Sequence, residues 1–146
     1  MGIQKEQEEF LEIDLPILFS KMSKDFNKNY SDFLKPYGLG KLHAFYLICL
    51  YKCPNGIKLK DLNELIGCDK SNTSRALADL QDKGIVCKDT DSDIEKKYMV
   101  MLTDDGREIA KAFANLVKKN VNVILSRLTQ NEVETLFNIV KKLIIE

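Results

Sequence analysis

DKSNTSRALADLQDKG, residues 69–84, reads as a helix with a polar entrance and a defined stop. Asp69 is suited to the N-cap, Ser71, Asn72, Thr73, Ser74 and Arg75 fill the first turns, and Gly84 follows Lys83 where a helix ends. At about 100° per residue, Thr73, Ala76, Leu77 and Leu80 share one side, and Ser71, Arg75, Ala78 and Asp82 share the other. Asn72 and Ser74 flank that outer side. Hydroxyls, an amide and a guanidinium at a helix N-terminus match the donors and acceptors needed at base edges and phosphates in a major groove. The same residue types also cap helices and form solvated faces, so the cluster alone leaves both readings open.

The flanking sequence narrows the choice. Upstream, Lys58–Ile66 (KLKDLNELI) puts Leu59, Leu62, Leu65 and Ile66 on one helical face, and Gly67-Cys68 makes a short turn into Asp69. Downstream, residues 85–88 read as a short strand, 89–95 as a polar loop, and Lys97–Leu102 as a second strand with Tyr98, Val100 and Leu102 alternating. A helix-turn-helix followed by a hairpin is a winged helix. The fold class expected is mainly α with a small β component (α+β).

These residues carry a family resemblance. The run from Asp61-Leu62 through Lys70-Ser71, Arg75, Leu80 and Lys83-Gly84-Ile85-Val86 to Leu102-Thr103-Asp104-Asp105-Gly106 resembles the MarR family of bacterial and archaeal transcription regulators. The Leu-Thr-x-x-Gly close after the wing is its most specific piece, and Leu39 with the Leu47/Leu50 pair extends the likeness over nearly the whole chain. The resemblance implies an obligate homodimer whose recognition helices enter successive major grooves while the wings reach adjacent minor grooves. It also implies control by a small ligand, often an aromatic acid, held between dimerisation helices and winged region. Two departures stand out: Ile94-Glu95-Lys96 occupies the place of the usual Asp-x-Arg of the wing, and Asn63 the place of an alanine. Lysine lacks the planar fork that suits a narrow minor groove. Asn63 needs a polar partner or water.

On this basis the DNA-contacting residues expected are Lys70, Ser71, Asn72, Thr73, Ser74 and Arg75 on the helix and Lys96 and Lys97 on the wing. Two half-sites about 10 bp apart would form a pseudo-palindrome. Phe19, Tyr37 and Tyr46 are the expected lining residues of an effector site, chosen as aromatics near the junction that the resemblance implies.

Composition sets the outer bounds. With 146 residues, 45% hydrophobic and 30% charged, the chain suits one domain, with 1–36 and 104–146 as dimerisation helices and 39–103 as winged helix-turn-helix. No apolar run approaches the roughly 18 residues of a membrane span, and the Gln/Glu-rich start is unlike an export signal, so a cytoplasmic location is expected. The formal net charge is zero, and acidic residues interleave with the basic ones. That balance disfavours strong nonspecific DNA binding and predicts salt-sensitive binding of modest affinity. It also suits the competing reading, a winged helix that contacts protein.

The N-terminal third predicts a helix capped by Asp14, opened by Leu15-Pro16, carrying Leu18, Met22, Phe26, Tyr30 and Phe33 and ended by Pro36 and Gly38. Phe10, Leu11 and Ile13 before it read as a separate arm. Leu39–Cys53 predicts a central helix, and its His43, the only histidine, reads as a satisfied structural residue. Thr103 predicts the cap of a long helix, and Thr129 with Glu132 a capping box that opens the last one. Their apolar stripes exceed what one small winged domain can cover, which points to burial against a second copy.

Cys49, Cys53, Cys68 and Cys87 follow no zinc spacing, and no metal or other cofactor is expected. Cys68 and Cys87, beside the recognition helix, are the candidates for a redox-sensing alternative. One histidine, no Gly-x-Ser-x-Gly and no phosphate-cradling loop leave little for an enzyme to work with.

Overall fold

The computed structural model describes residues 5, 8, 10–89 and 99–144. The chain forms two compact units, one of Met1–Lys28 with Val117–Glu146 and the other of Asn29–Leu116.

The second unit carries the recognition stretch. After α1 (Leu15–Phe26) in the other unit, it opens with α2 (Tyr30–Leu34); a 3-10 turn (Lys35–Tyr37) and α3 (Lys41–Tyr51) follow. Then come β1 (Ile57–Lys58), α4 (Leu59–Ile66), α5 (Lys70–Asp82), β2 (Val86–Asp89) and β3 (Met99–Leu102). The sheet is antiparallel in the order β1-β3-β2, with Ile57 opposite Val100 and Val86 opposite Leu102. Alternation along β3 buries Val100 and Leu102, and both join Leu34, Tyr46, Leu47, Leu50, Leu62, Leu77 and Leu80 in the core. Phe113 closes one side of that core: its ring meets Tyr30 edge-on at 4.9 Å and Phe33 at 5.4 Å. Helix-turn-helix and hairpin are therefore packed as one winged helix.

A backbone clamp joins the end of α5 to the next long helix, α6 (Asp104–Leu125). The Thr103 hydroxyl donates to the Gly84 carbonyl at 2.6 Å and accepts from the Gly106 N–H at 3.0 Å, while the Thr103 N–H donates to the Ile85 carbonyl at 3.0 Å. Thr103 caps its helix as expected. Gly106 sits so close to the Ile85 carbonyl that any Cβ would overlap it. Close approach of backbone to backbone is thus the physical content of the Leu-Thr-x-x-Gly run.

The first unit contains α1, the rest of α6 and α7 (Gln130–Ile144). No residue of α1 or α7 is buried, and Ile17, Phe19, Val123, Phe137, Ile139, Leu143 and Ile144 are all exposed. The Asn120 amide lies buried and donates to the Phe26 and Lys28 carbonyls at 2.9 and 2.8 Å, satisfying the end of α1. At the start of α7 the capping box is reciprocal: Thr129 N–H donates to the Glu132 carboxylate at 2.8 Å and Glu132 N–H to the Thr129 hydroxyl at 3.2 Å.

Several boundaries differ from expectation. The single N-terminal helix is broken at 27–29, where Asn29 adopts φ +65°, a left-handed conformation that asparagine tolerates and helices do not continue through. Asp14 makes no capping bond, because its backbone is already helical at the end of a π-turn (Phe10–Asp14) that runs straight into α1. The segment before Asp14 is therefore continuous with the helix and not a separate arm. Lys58 belongs to a strand, since Ile57-Lys58 pairs with β3, and helix α3 is two residues shorter at each end than Leu39–Cys53. Tyr98 lies outside the described residues.

Candidate nucleic-acid interface

Gly67, at φ +71°, takes the left-handed turn that ends α4 and frees the chain to start α5 three residues later. Asp69 caps α5 through its carboxylate, which accepts from the Asn72 N–H at 2.7 Å and from the Asn72 side-chain amide at 3.1 Å. Gly84, at φ +70°, closes the far end. The helix is thereby fixed at both ends before any partner arrives.

Burial sorts its residues into two faces. Thr73, Ala76, Leu77 and Leu80 are buried, and Lys70, Ser71, Ser74, Arg75 and Ala78 are exposed. Ser71, Ser74, Arg75 and Ala78 recur at helical spacing and form one continuous strip, two hydroxyls and a guanidinium followed by a methyl. A guanidinium can take a guanine edge or phosphate, a hydroxyl either kind of edge, and a small methyl can lie against a thymine methyl. The strip is chemically suited to reading a groove.

Thr73 does not belong to it, which corrects the expectation that it meets DNA. Its side chain is 0% exposed, and its hydroxyl bonds the Tyr46 hydroxyl at 2.9 Å inside the core. The helical projection puts Thr73 on the inner side, and its direction outweighs the residue type that suggests a contact with DNA. Asn72 is half-buried, with its amide engaged by Asp69. Lys96 and Lys97 lie outside the described residues, as do Ile94 and Glu95.

The aromatic candidates for an effector site separate. Phe19 is exposed on α1, in the first unit; Tyr37 is exposed and packs on Phe33 at 5.7 Å. Tyr46 is fully buried with its hydroxyl committed to Thr73, so it offers no surface to a ligand and is a core residue instead. Burial pushes its phenol above the ordinary tyrosine value, and the Cys68 thiol beside it adds to the shift. Burial likewise raises the Cys49 thiol. All four cysteines are unpaired thiols of intermediate exposure, and the described residues contain no metal-binding cluster.

His43 is satisfied, as its surroundings led one to expect. Nδ1 accepts the Gly40 N–H at 3.0 Å, and Nε2 lies 3.3 Å from the Asp79 carboxylate. Asn63 is less well served: its Oδ1 is buried without a hydrogen-bond partner among the described residues. Two features were not found from sequence, the Tyr46–Thr73 bond and the Asn120 anchor. Both are polar residues at apolar register positions, a signal visible in the helical projections.

No family model matches the chain. It is 28% identical over 135 residues to the HTH-type transcriptional regulator SarZ of Staphylococcus epidermidis, covering 91% of this chain and 90% of that protein. Its fold is similar to a crystal structure of a MarR transcriptional regulator from Methanosarcina mazei, with TM-score 0.72, 23% identity and 94% coverage of each chain. A mutant MarR from E. coli complexed with operator DNA is similar at TM-score 0.73 and 23% identity, over 93% of this chain and 97% of that one. Among the described residues, no helix is long and apolar enough to cross a membrane.

Proposed function

We propose that this chain, a winged helix-turn-helix protein of the MarR type, is a sequence-specific DNA-binding transcription regulator that acts as a homodimer on a pseudo-palindromic operator. The observation that carries the reading is the exposed strip of Ser71, Ser74, Arg75 and Ala78, on a helix capped at Asp69 and seated by a buried opposite face. The likeness to a MarR seen on operator DNA and to a curated transcription regulator supports it. The apolar faces exposed on α1, α6 and α7 support the homodimer. One domain organised as 39–103 for DNA and the terminal helices for dimerisation is the arrangement proposed, in the cytoplasm, where the DNA is.

Repression relieved by a small aromatic effector is the regulatory mode we propose. With Tyr46 assigned to the core, Phe19 on one unit and Tyr37 on the other are exposed aromatics, each by itself a candidate to touch an effector. An effector of this kind acts by its differential affinity for the DNA-bound and free spacings of the two recognition helices.

Selection from a random duplex pool at low salt tests the reading, with Arg75→Ala alongside. The expected result is a pseudo-palindrome with half-sites about 10 bp apart, and Arg75→Ala costing about 1–3 kcal/mol in affinity with relaxed preference at one base pair. Absence of any enriched sequence would reject DNA reading in favour of a protein-contacting winged helix.

A further inference from the structure

We propose that His43 is a proton-sensitive positioning residue, which couples the cap of α3 to the seating of the recognition helix α5; the proposal rests on the DNA-binding reading above. His43 stands at the third position of α3, where a capping box ordinarily carries Glu or Gln to accept the N-cap N–H. Its Nδ1 does that work, accepting the Gly40 N–H at 3.0 Å, while the His43 N–H donates back to the Gly40 carbonyl at 3.0 Å. On the other side of the ring, Nε2 faces the Asp79 carboxylate at 3.3 Å, 36 residues away on α5. A ring that accepts at Nδ1 and donates at Nε2 is the neutral imidazole. Only that form makes the two bonds together.

Protonation places a hydrogen on Nδ1 opposite the Gly40 N–H. Two donors then face each other and the cap is lost, while the Nε2 bond to Asp79 becomes charge-assisted. The ring is released at one helix and held harder at the other. Asp79 lies one turn beyond Arg75 on α5, so any displacement it undergoes reaches the exposed strip directly. A glutamine at position 43 would keep the cap and never titrate; histidine makes the same contact conditional on pH.

Few other charges intervene. Helix α3 packs against α2, α4, α5 and β3. On α2 Tyr30 is buried and Asp32 exposed, on α4 Lys60, Asp61 and Glu64 are exposed, β3 has no ionisable side chain, and on α5 Lys70, Arg75 and Asp82 are exposed while Asp79 faces the ring. Lys83, just past the end of α5, lies against Gly38 in the loop before Gly40. Asp79 is the ionisable group bonded to the ring.

Because the chain has one histidine, its Cε1–H resonance reports His43 without ambiguity. As pH is lowered from about 8 to about 5.5, the amides of Gly40, Ser74 and Arg75 should shift together with the ring resonance. In His43→Gln all three should stay flat. In Asp79→Asn, Gly40 should still follow the ring while Ser74 and Arg75 do not. Affinity for the selected operator should fall about fivefold over the same range, the loss expected of one cap, and His43→Gln should bind like wild type at the alkaline end and stay level. Ser74 and Arg75 amides that ignore the ring's titration, or a His43→Gln variant that keeps the acid loss, would overturn the proposal. If no duplex binds at any pH, the DNA reading fails by itself, and the amide titration still decides the coupling.

Discussion

The Ile85 carbonyl occupies the space where a side chain on Gly106 would have to stand. Two stretches of backbone meet there, one leaving the recognition helix and one entering α6, and neither can yield without moving a helix. Gly106→Ala should therefore destabilise the protein by about 2–3 kcal/mol, the range of forced overpacking. Thermal unfolding followed by circular dichroism should show a midpoint lowered by about 4–10 °C for a chain of this size. A midpoint unchanged from wild type would mean that the two backbones are not in contact.

The Tyr46–Thr73 bond predicts a strongly non-additive pair. Thr73→Val leaves the buried Tyr46 hydroxyl with only the neighbouring Cys68 thiol, and Tyr46→Phe takes from the buried Thr73 hydroxyl its phenol partner, each at a cost of about 1–3 kcal/mol. The double variant removes both polar atoms and should cost less than the sum of the singles. Urea denaturation of the four proteins measures the coupling. Additive losses would show that the two hydroxyls do not interact.

Burial holds the phenols of Tyr30 and Tyr46 above the ordinary value of 10.0. A group with a raised folded pKa contributes stability that is complete below its unfolded pKa and is lost as pH rises through the folded one. Stability should accordingly decline above about pH 10. Tyr46→Phe, lacking one of the two protons retained by the folded state, should decline less steeply. Equal slopes in the two proteins would assign the alkaline loss to other groups.

Asn120 bridges the carbonyls of Phe26 and Lys28 from a buried position. Asn120→Leu fills similar space but leaves two helix-end carbonyls without donors. The expected loss is about 1–3 kcal/mol, accompanied by faster amide exchange in the last turn of α1. Unchanged exchange there would place the anchor of α1 elsewhere.

Phe137 is 60% exposed and Leu143 69% exposed on α7, a helix with no buried residue. If these faces are covered by a second copy, wild type should sediment as a dimer at micromolar concentration and Phe137→Glu should shift toward monomer. A wild-type monomer under the same conditions would remove the dimeric reading, and with it the paired half-sites.

Much of the winged helix could be read from local chemistry. Asp69, Thr103 and Thr129 each announce a helix start by residue type, and each makes the capping bond expected; Gly84 announces a stop and takes the left-handed conformation a stop needs. Thr73 shows how a site is misread. Its residue type points to DNA and its register to the core, and the register prevails because burial is decided by direction. Tyr46 likewise looked like a ligand-lining aromatic until its hydroxyl found a partner 27 residues away, a distance that no window of local sequence spans. The break at Asn29 was hidden for a different reason: Asn27, Lys28 and Asn29 are all compatible with a helix surface, and the left-handed turn is chosen by packing of Tyr30 and Phe33 against Phe113, far along the chain.

The Thr103 clamp has a consequence for how such a chain can diversify. One hydroxyl ties the exit of α5 to the entrance of α6, and β2 and β3 are already in register from Val86–Leu102 outward. Asp89 and Met99, which bound residues 90–98, are held opposite each other by that register. An insertion between Asp89 and Met99 should therefore cost little loop entropy and leave α5 where it is. Natural variation and engineering alike can rewrite residues 90–98 with the exposed strip of α5 held in place.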